Sequence, residues 1–198
     1  MKPEIEAKFL DQDHDLIRRK LTELGAVCEH KMKLMRRTVF DYQNRSLQKK
    51  RAWVRLREEL DGTIELTLKQ VQNDSIDGAH EATVVVSDYE AAKAFIIAIG
   101  LQVKGEQESK REVWKHGNVE IMLDEWPWVK PFIEIEGPSE QEVKIVAQQL
   151  ELGWEQAKFG GITPVFVAQY GLSPEEFESL ELSMKFDQPV PVELTQSV

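Results

Sequence analysis

The chain is poor in cysteine, and its basic residues are outnumbered by acidic ones. Cys28 is the only cysteine in 198 residues. One thiol excludes an intrachain disulfide and any metal centre built on several thiolates. It fits a reducing compartment, and a cytoplasmic location is expected. The four histidines, His14, His30, His80 and His116, stand at no spacing typical of a zinc site. No apolar run approaches the roughly 20 residues of a membrane span. Charged residues follow Met1 almost at once, so no targeting segment is expected. Basic residues number 25 against 35 acidic ones, a formal net charge of −10. Such a chain repels nucleic acid and anionic membranes at long range, and neither is expected as a partner. An anionic ligand has to be met by a local basic cluster. Hydrophobic residues still make up 41%, enough for a globular core, and the length suits one domain.

What is present is alternation. In the stretch Glu4-Ile5-Glu6-Ala7-Lys8-Phe9 charged and apolar residues alternate strictly. Successive side chains of a strand point to opposite faces, so Glu4, Glu6 and Lys8 share one face. The same parity groups Trp53, Arg55 and Arg57 in a strand over 51–59, and Glu65, Thr67 and Lys69 in one over 63–71. Asp61-Gly62 between them reads as a two-residue hairpin turn. Further strands are predicted over 34–42, 81–86, 104–114, 119–125 and 132–136. They place Glu120, Met122 and Asp124 on one face, and Glu134 with Glu136 on another. Of the adjacent Lys110 and Arg111 only one can face inward, and Arg111 is preferred.

Helices separate the strands. One opens near residues 11–15, repeats Leu16, Ile17, Leu21 and Leu24, and stops at Gly25. Ser87 to Glu90 and Ser139 to Glu142 read as capping boxes, with helices ending at Gly100 and Gly153. Pro164 and Pro174 mark two short helices within about 163–184. The similar helix ends LTELGAV, IIAIGLQV and QLELGW suggest a weak internal duplication. Residues 1–186 are expected as one domain, with 187–198 as a loose tail.

The polar faces decide the architecture. A sheet with one wet face carries mixed polar residues. Here arginine and lysine gather on some strands and glutamate pairs on others, while apolar-striped helices are available for the opposite face. An inside-out barrel accounts for both. Burying so much charge is costly unless the charges compensate one another or bind something. Carboxylate oxygens suit Mg²⁺ or Mn²⁺, and arginine and lysine suit phosphate oxygens.

The ordered set Glu4-x-Glu6-x-Lys8, Arg55-x-Arg57, Lys69, Asp124 and Glu134-x-Glu136 resembles the CYTH superfamily, the triphosphate tunnel metalloenzymes. The resemblance runs from Glu4 to about Tyr170. It implies an α+β fold, an antiparallel eight-stranded barrel with a charged lumen and helices outside. It implies Mg²⁺ or Mn²⁺ held by Glu4, Glu6, Glu81, Asp124, Glu134 and Glu136. Lys8, Arg37, Arg55, Arg57, Lys69, Arg111 and Lys158 are then the substrate grip, with Lys8, Arg57 and Glu134 catalytic. Phe40-Asp41 resembles the aromatic-aspartate end of the second strand. The implied activity is metal-dependent hydrolysis of a triphosphate, inorganic or small organic. Alternatives are a class IV adenylyl cyclase and a non-catalytic polyphosphate or nucleotide binder. The partner is a small-molecule triphosphate, and a homodimer is one assembly the reading allows. Trp126 and Trp128, in the 126–131 loop, read as packing or a lid edge rather than a base-stacking platform.

Overall fold

The structure, a computed structural model, describes residues 1–180 and 182–195. Its strands are β1 (Lys2–Glu4), β2 (Glu6–Phe9), β3 (Val27–Tyr42), β4 (Ala52–Glu58), β5 (Ile64–Val71), β6 (Ala79–Val86), β7 (Leu101–His116), β8 (Val119–Glu125) and β9 (Phe132–Glu136). Its helices are α1 (His14–Glu23), α2 (Tyr89–Ala98), α3 (Glu140–Gln149), α4 (Thr163–Tyr170), α5 (Pro174–Ser179) and α6 (Val192–Thr195).

All nine strands form one antiparallel sheet in the order β1-β6-β5-β4-β3-β7-β8-β9-β2. The first and last strands of that order are separated in sequence by Ile5 alone, so the sheet must roll into a nearly closed barrel. The expected eight strands become nine because the first breaks at Ile5, its two halves pairing with β6 and β9.

Apolar side chains lie on the outside of this barrel, under the helices. Ala7, Phe9, Ile121, Leu123, Ile133 and Ile135 pack against Ile17 and Leu21 of α1 and Val143, Val146 and Leu150 around α3. Each fully buried valine, leucine, isoleucine or phenylalanine among them contributes about 1.5–3 kcal/mol. Phe40, Leu56 and Leu101 pack against Ile96 of α2. The charged faces therefore turn inward.

Several local expectations are corrected. Between β4 and β5 the Glu59 amide donates to the Thr63 carbonyl at 2.7 Å, so the hairpin closes on three residues, Leu60 to Gly62, not two. The amide of Gly62 donates to the carbonyl of Glu59, and Gly62 takes φ +88°, a turn followed by a left-handed glycine. The α2 cap is Asp88, not Ser87: its side chain accepts the amide of Ala91. The turn after α3 is made by Glu151 at φ +61°, not by Gly153. Leu16 of α1 is exposed, leaving Ile17 and Leu21 to carry the buried stripe. β3 and β7 are each 16 residues long: β3 starts at Val27, well before its expected limit, where it pairs with the Arg111–Lys115 end of β7, and β7 exceeds 104–114 by a few residues at each end. Within the expected tail, α6 forms and Leu194 is buried in a C-terminal cluster; residues 196–198 lie outside the described residues.

Candidate functional site

The inward faces enclose a cavity of about 790 Å³. On one wall β2 and β9 run side by side with Glu6 opposite Glu136 and Lys8 opposite Glu134. Strand parity keeps all four on the lumen face. One oxygen each from Glu6, Glu134 and Glu136 lies within 4.8 Å of the others. Lys8 Nζ donates to Glu6 Oε1 at 2.9 Å and lies 3.0 Å from Glu134 Oε2. Burial opposes the charge on Lys8, but the carboxylates of Glu134 and Glu6 outweigh it and hold the ammonium above its usual range. Burial likewise opposes ionisation of Glu134, yet Lys8 and Arg111 keep its carboxyl well below the usual carboxylate range. Glu6 is pushed up by burial and then by the charge of Glu134. Glu136 has no ion-pair partner among the described residues. Burial, followed by repulsion from Glu134, Glu6 and Glu4, pushes it up to about 7.

Glu4 and Glu81 stand beside this trio rather than within it. Glu4 pairs with Lys69, whose Nζ is also 3.6 Å from Glu6 Oε1. Glu81 faces Lys69 across the β5–β6 ladder and lines the cavity. Asp124 is not brought to the trio. It is fully buried, and both its oxygens accept from Arg111, at 2.7 and 2.6 Å. Arg111 also reaches to 3.6 Å from Glu134, so Asp124 acts on the trio through the arginine it holds.

The basic side chains occupy neighbouring strands. Arg57 on β4 faces Arg37 on β3 across the ladder. Arg57 pairs with Glu59 and lies 3.8 Å from Glu65. Arg37 donates through Nη2 to Ser109 Oγ and stacks with its guanidinium carbon 4.4 Å from the Trp126 ring centroid. Its Nε is buried without a hydrogen-bond partner among the described residues, and so is Nε of Arg55. Burial, then the nearby Arg57 and Arg55, depress Arg37 well below the usual guanidinium range. Burial and Arg57 bring Arg55 down to about 10. Lys158 joins by its backbone, exchanging amide bonds of 2.8 and 2.9 Å with Lys8, and its exposed side chain lies at the cavity rim.

Twelve of the thirteen residues singled out in the sequence thus line one cavity, and Asp124 lies behind Arg111. Sequence reasoning missed Ser109 and Trp126, which hold Arg37. Ser109 was findable, since it shares strand parity with Arg111. The stacking role of Trp126 depends on how the 126–131 loop folds back, and nothing in the sequence signals that. Also missed was the wall built by the C-terminal helices. Val165, Phe166 and Phe177 pack with Trp126 and Phe132, and residues within 160–180 and 182–184 contribute to the cavity lining.

Comparison with known proteins gives one family model, the CYTH domain, matching residues 2–158. Among curated proteins none matches the chain. Solved structures share the fold. PH1012 protein of Pyrococcus horikoshii OT3 is 23% identical with a TM-score of 0.66, covering 78% of this chain and 94% of its own. A candidate adenylate cyclase of Vibrio parahaemolyticus is 16% identical with a TM-score of 0.72, covering 83% and 97%. The Hippeastrum protein HpAC1, a candidate adenylyl cyclase described with a dominant triphosphatase activity, is 16% identical with a TM-score of 0.57, covering 88% and 99%.

Proposed function

The chain belongs to the CYTH family, and from that premise we propose that it is a divalent-metal-dependent triphosphatase working in the barrel lumen. The observation that carries the reading is a pair of arginines whose buried Nε groups have no partner among the described residues, lining the same cavity as a trio of carboxylates. Arg37 and Arg55 keep unpartnered Nε groups, and Glu6, Glu134 and Glu136 converge across the same cavity. Buried cations left without anions call for an anionic ligand. Clustered carboxylates, one of them unpaired, call for a cation.

The trio fits an oxygen-liganded ion such as Mg²⁺ or Mn²⁺. Glu6, Glu134 and Glu136 would hold it, with Glu4 and Glu81 nearby. When bound, such an ion supplies charge neutralisation and acidifies a coordinated water. The protein's own groups do the rest. Arg37, Arg55 and Arg57 grip phosphate oxygens and offset charge that develops on the departing diphosphate. Arg57 trades its weak contact with Glu65 for a phosphate oxygen. Lys8 fixes Glu6 and Glu134 in place, while Asp124 keeps Arg111 aimed at the lumen. The barrel wall lowers the local dielectric and strengthens each of these contacts.

A cyclase is the second reading, and the name of the Vibrio neighbour favours it. The same cage would serve attack by a ribose hydroxyl on the α-phosphorus. Incubation with tripolyphosphate, ATP or thiamine triphosphate and Mg²⁺ or Mn²⁺ separates the two. Orthophosphate release is expected, lost in Glu134→Gln. Cyclic AMP with diphosphate from ATP would establish the cyclase instead, and tight binding without turnover a binding module.

A further inference from the structure

We propose that Lys104 is a further substrate-contacting residue, gripping a phosphate oxygen from the β7 wall of the cavity. The inference rests on the triphosphate reading and extends it to a side chain outside the resembling motif set.

Parity along β7 places Gly105, Gln107, Ser109 and Arg111 on the lumen face, which would send Lys104 outward. The register shows why it does not. Val39 faces Gly105 while the next residue, Phe40, faces Val103, so Lys104 is the extra, unpaired residue of a β-bulge. Bulges re-aim side chains next to functional sites. Lys104 accordingly lines the cavity.

Its ammonium is held but not neutralised. Lys104 Nζ donates at 2.7 Å to the side-chain oxygen of Gln48, and it has no ion-pair partner among the described residues. Burial, then the neighbouring Arg45, lower its affinity for a proton and outweigh the attraction of Glu178 and Asp41, neither of which forms an ion pair with it. Gln48 is itself fixed: its side-chain amide donates to the carbonyl of Glu178 at 2.8 Å and its backbone amide to Asp41 at 2.9 Å. A neutral amide thus parks the lysine at one position. A phosphate oxygen makes a stronger, charge-assisted bond and displaces it.

The position suits this. Gly105, Val39 and Arg55 lie in one cross-strand row, so Lys104 starts about 10 Å, two strand spacings, from the backbone of Arg55. Both long side chains enter the same space. Lys69, which serves the carboxylates, lies three strand spacings away round the wall. A polyphosphate reaching from the trio to Arg55 therefore presents its far oxygens to Lys104.

Steady-state kinetics on tripolyphosphate with Mg²⁺ test this in wild type, Lys104→Gln and Lys104→Arg. Loss of one charged hydrogen bond should raise KM about tenfold in Lys104→Gln, with kcat within about twofold. Lys104→Arg should recover most of the affinity, and the gap between wild type and Lys104→Gln should narrow as salt screens the attraction. Thermal melts check folding, and the stabilisation of each variant by tripolyphosphate gives a readout independent of turnover. Wild-type KM in Lys104→Gln overturns the proposal. So does an equal loss in both variants with lowered melting temperature, which marks a structural role. A wild-type protein that neither turns over nor binds any triphosphate removes the functional reading, and this inference with it. Intact wild-type turnover with an indifferent Lys104→Gln removes this inference alone.

Discussion

Arg55 carries a full charge inside the barrel with its Nε unpartnered among the described residues, and burial brings its pKa down to about 10. Burial and the like-charged Arg57 both oppose this charge, so an apolar side chain of similar length relieves that cost. Arg55→Met should therefore melt at a higher temperature than wild type while losing most of its affinity for tripolyphosphate. A variant that melts lower, or binds normally, would show that Arg55 is satisfied within the protein. Glu136 has the opposite problem. Its proton leaves the unfolded chain near 4.5 but the metal-free folded protein only near 7. Between these values the folded state binds more protons, so metal-free stability falls as pH rises, by about 3 kcal/mol over the window. Below 4.5 that contribution is fully present, and above about 7 it is gone. Divalent-ion binding competes with the same proton. Calorimetric titration of Mg²⁺ should show affinity climbing about tenfold per pH unit from 5 to 7 and then levelling. Glu136→Gln should remove the slope. At this scale the sequence was largely readable, because pairs such as Glu134 and Glu136 point one way on any strand. The pairing of Asp124 with Arg111 was not readable, since it depends on the β7–β8 register rather than on parity.

The loop after β3 shows what a single side chain does for an element. Asp41 is buried, and its carboxylate accepts the backbone amides of Tyr42, Leu47 and Gln48. The chain over 43–50 is thereby tied to the end of β3, and Gln48 is set where it meets Lys104 and Glu178. Asp41→Ala leaves these amides to find other partners and should cost about 2–3 kcal/mol, read as a lower denaturant midpoint with unchanged m-value. A variant of normal stability would mean that the loop is held by its other contacts. The sequence marks Phe40-Asp41 as a strand end but not the work Asp41 does there. Bulges and three-residue turns are hidden for a related reason. The pattern of apolar residues fixes which face a strand buries, whereas the skipped partner at Lys104 is a property of two strands together. The start of β3, 27–33, is hidden because its residues are mostly charged or exposed, so no apolar alternation announces it.

Across the whole molecule, the end of the family match at Lys158 does not coincide with the end of the packed structure. A hydrophobic cluster joins Trp126 and Phe132, inside the match, to Val165, Phe166, Leu172, Phe177, Met184 and Leu194 beyond it. The first half of β7 has no strand neighbour on its β8 side. There Met184 takes the place of one, its amide bonding the carbonyl of Glu106 and its carbonyl accepting from Glu108. Gly105 permits that approach, since a Cβ at this position would stand 2.8 Å from the carbonyl oxygen of Leu182. The segment thus runs across the barrel opening from the β2 edge, at Lys158, to the β7 edge, at Met184. A chain ending at Lys158 would expose Phe132 and Trp126, the ring on which Arg37 stacks. Losing the contacts of Phe166 alone is expected to cost about 3–5 kcal/mol, a large share of the roughly 5–15 kcal/mol that holds a domain together. The truncated chain should therefore lose its cooperative melting transition, and Phe166→Ala in the full chain should melt well below wild type while still being stabilised by tripolyphosphate with Mg²⁺. Wild-type melting and ligand response from residues 1–158 alone would reduce the C-terminal segment to an appendage, and the second core with it.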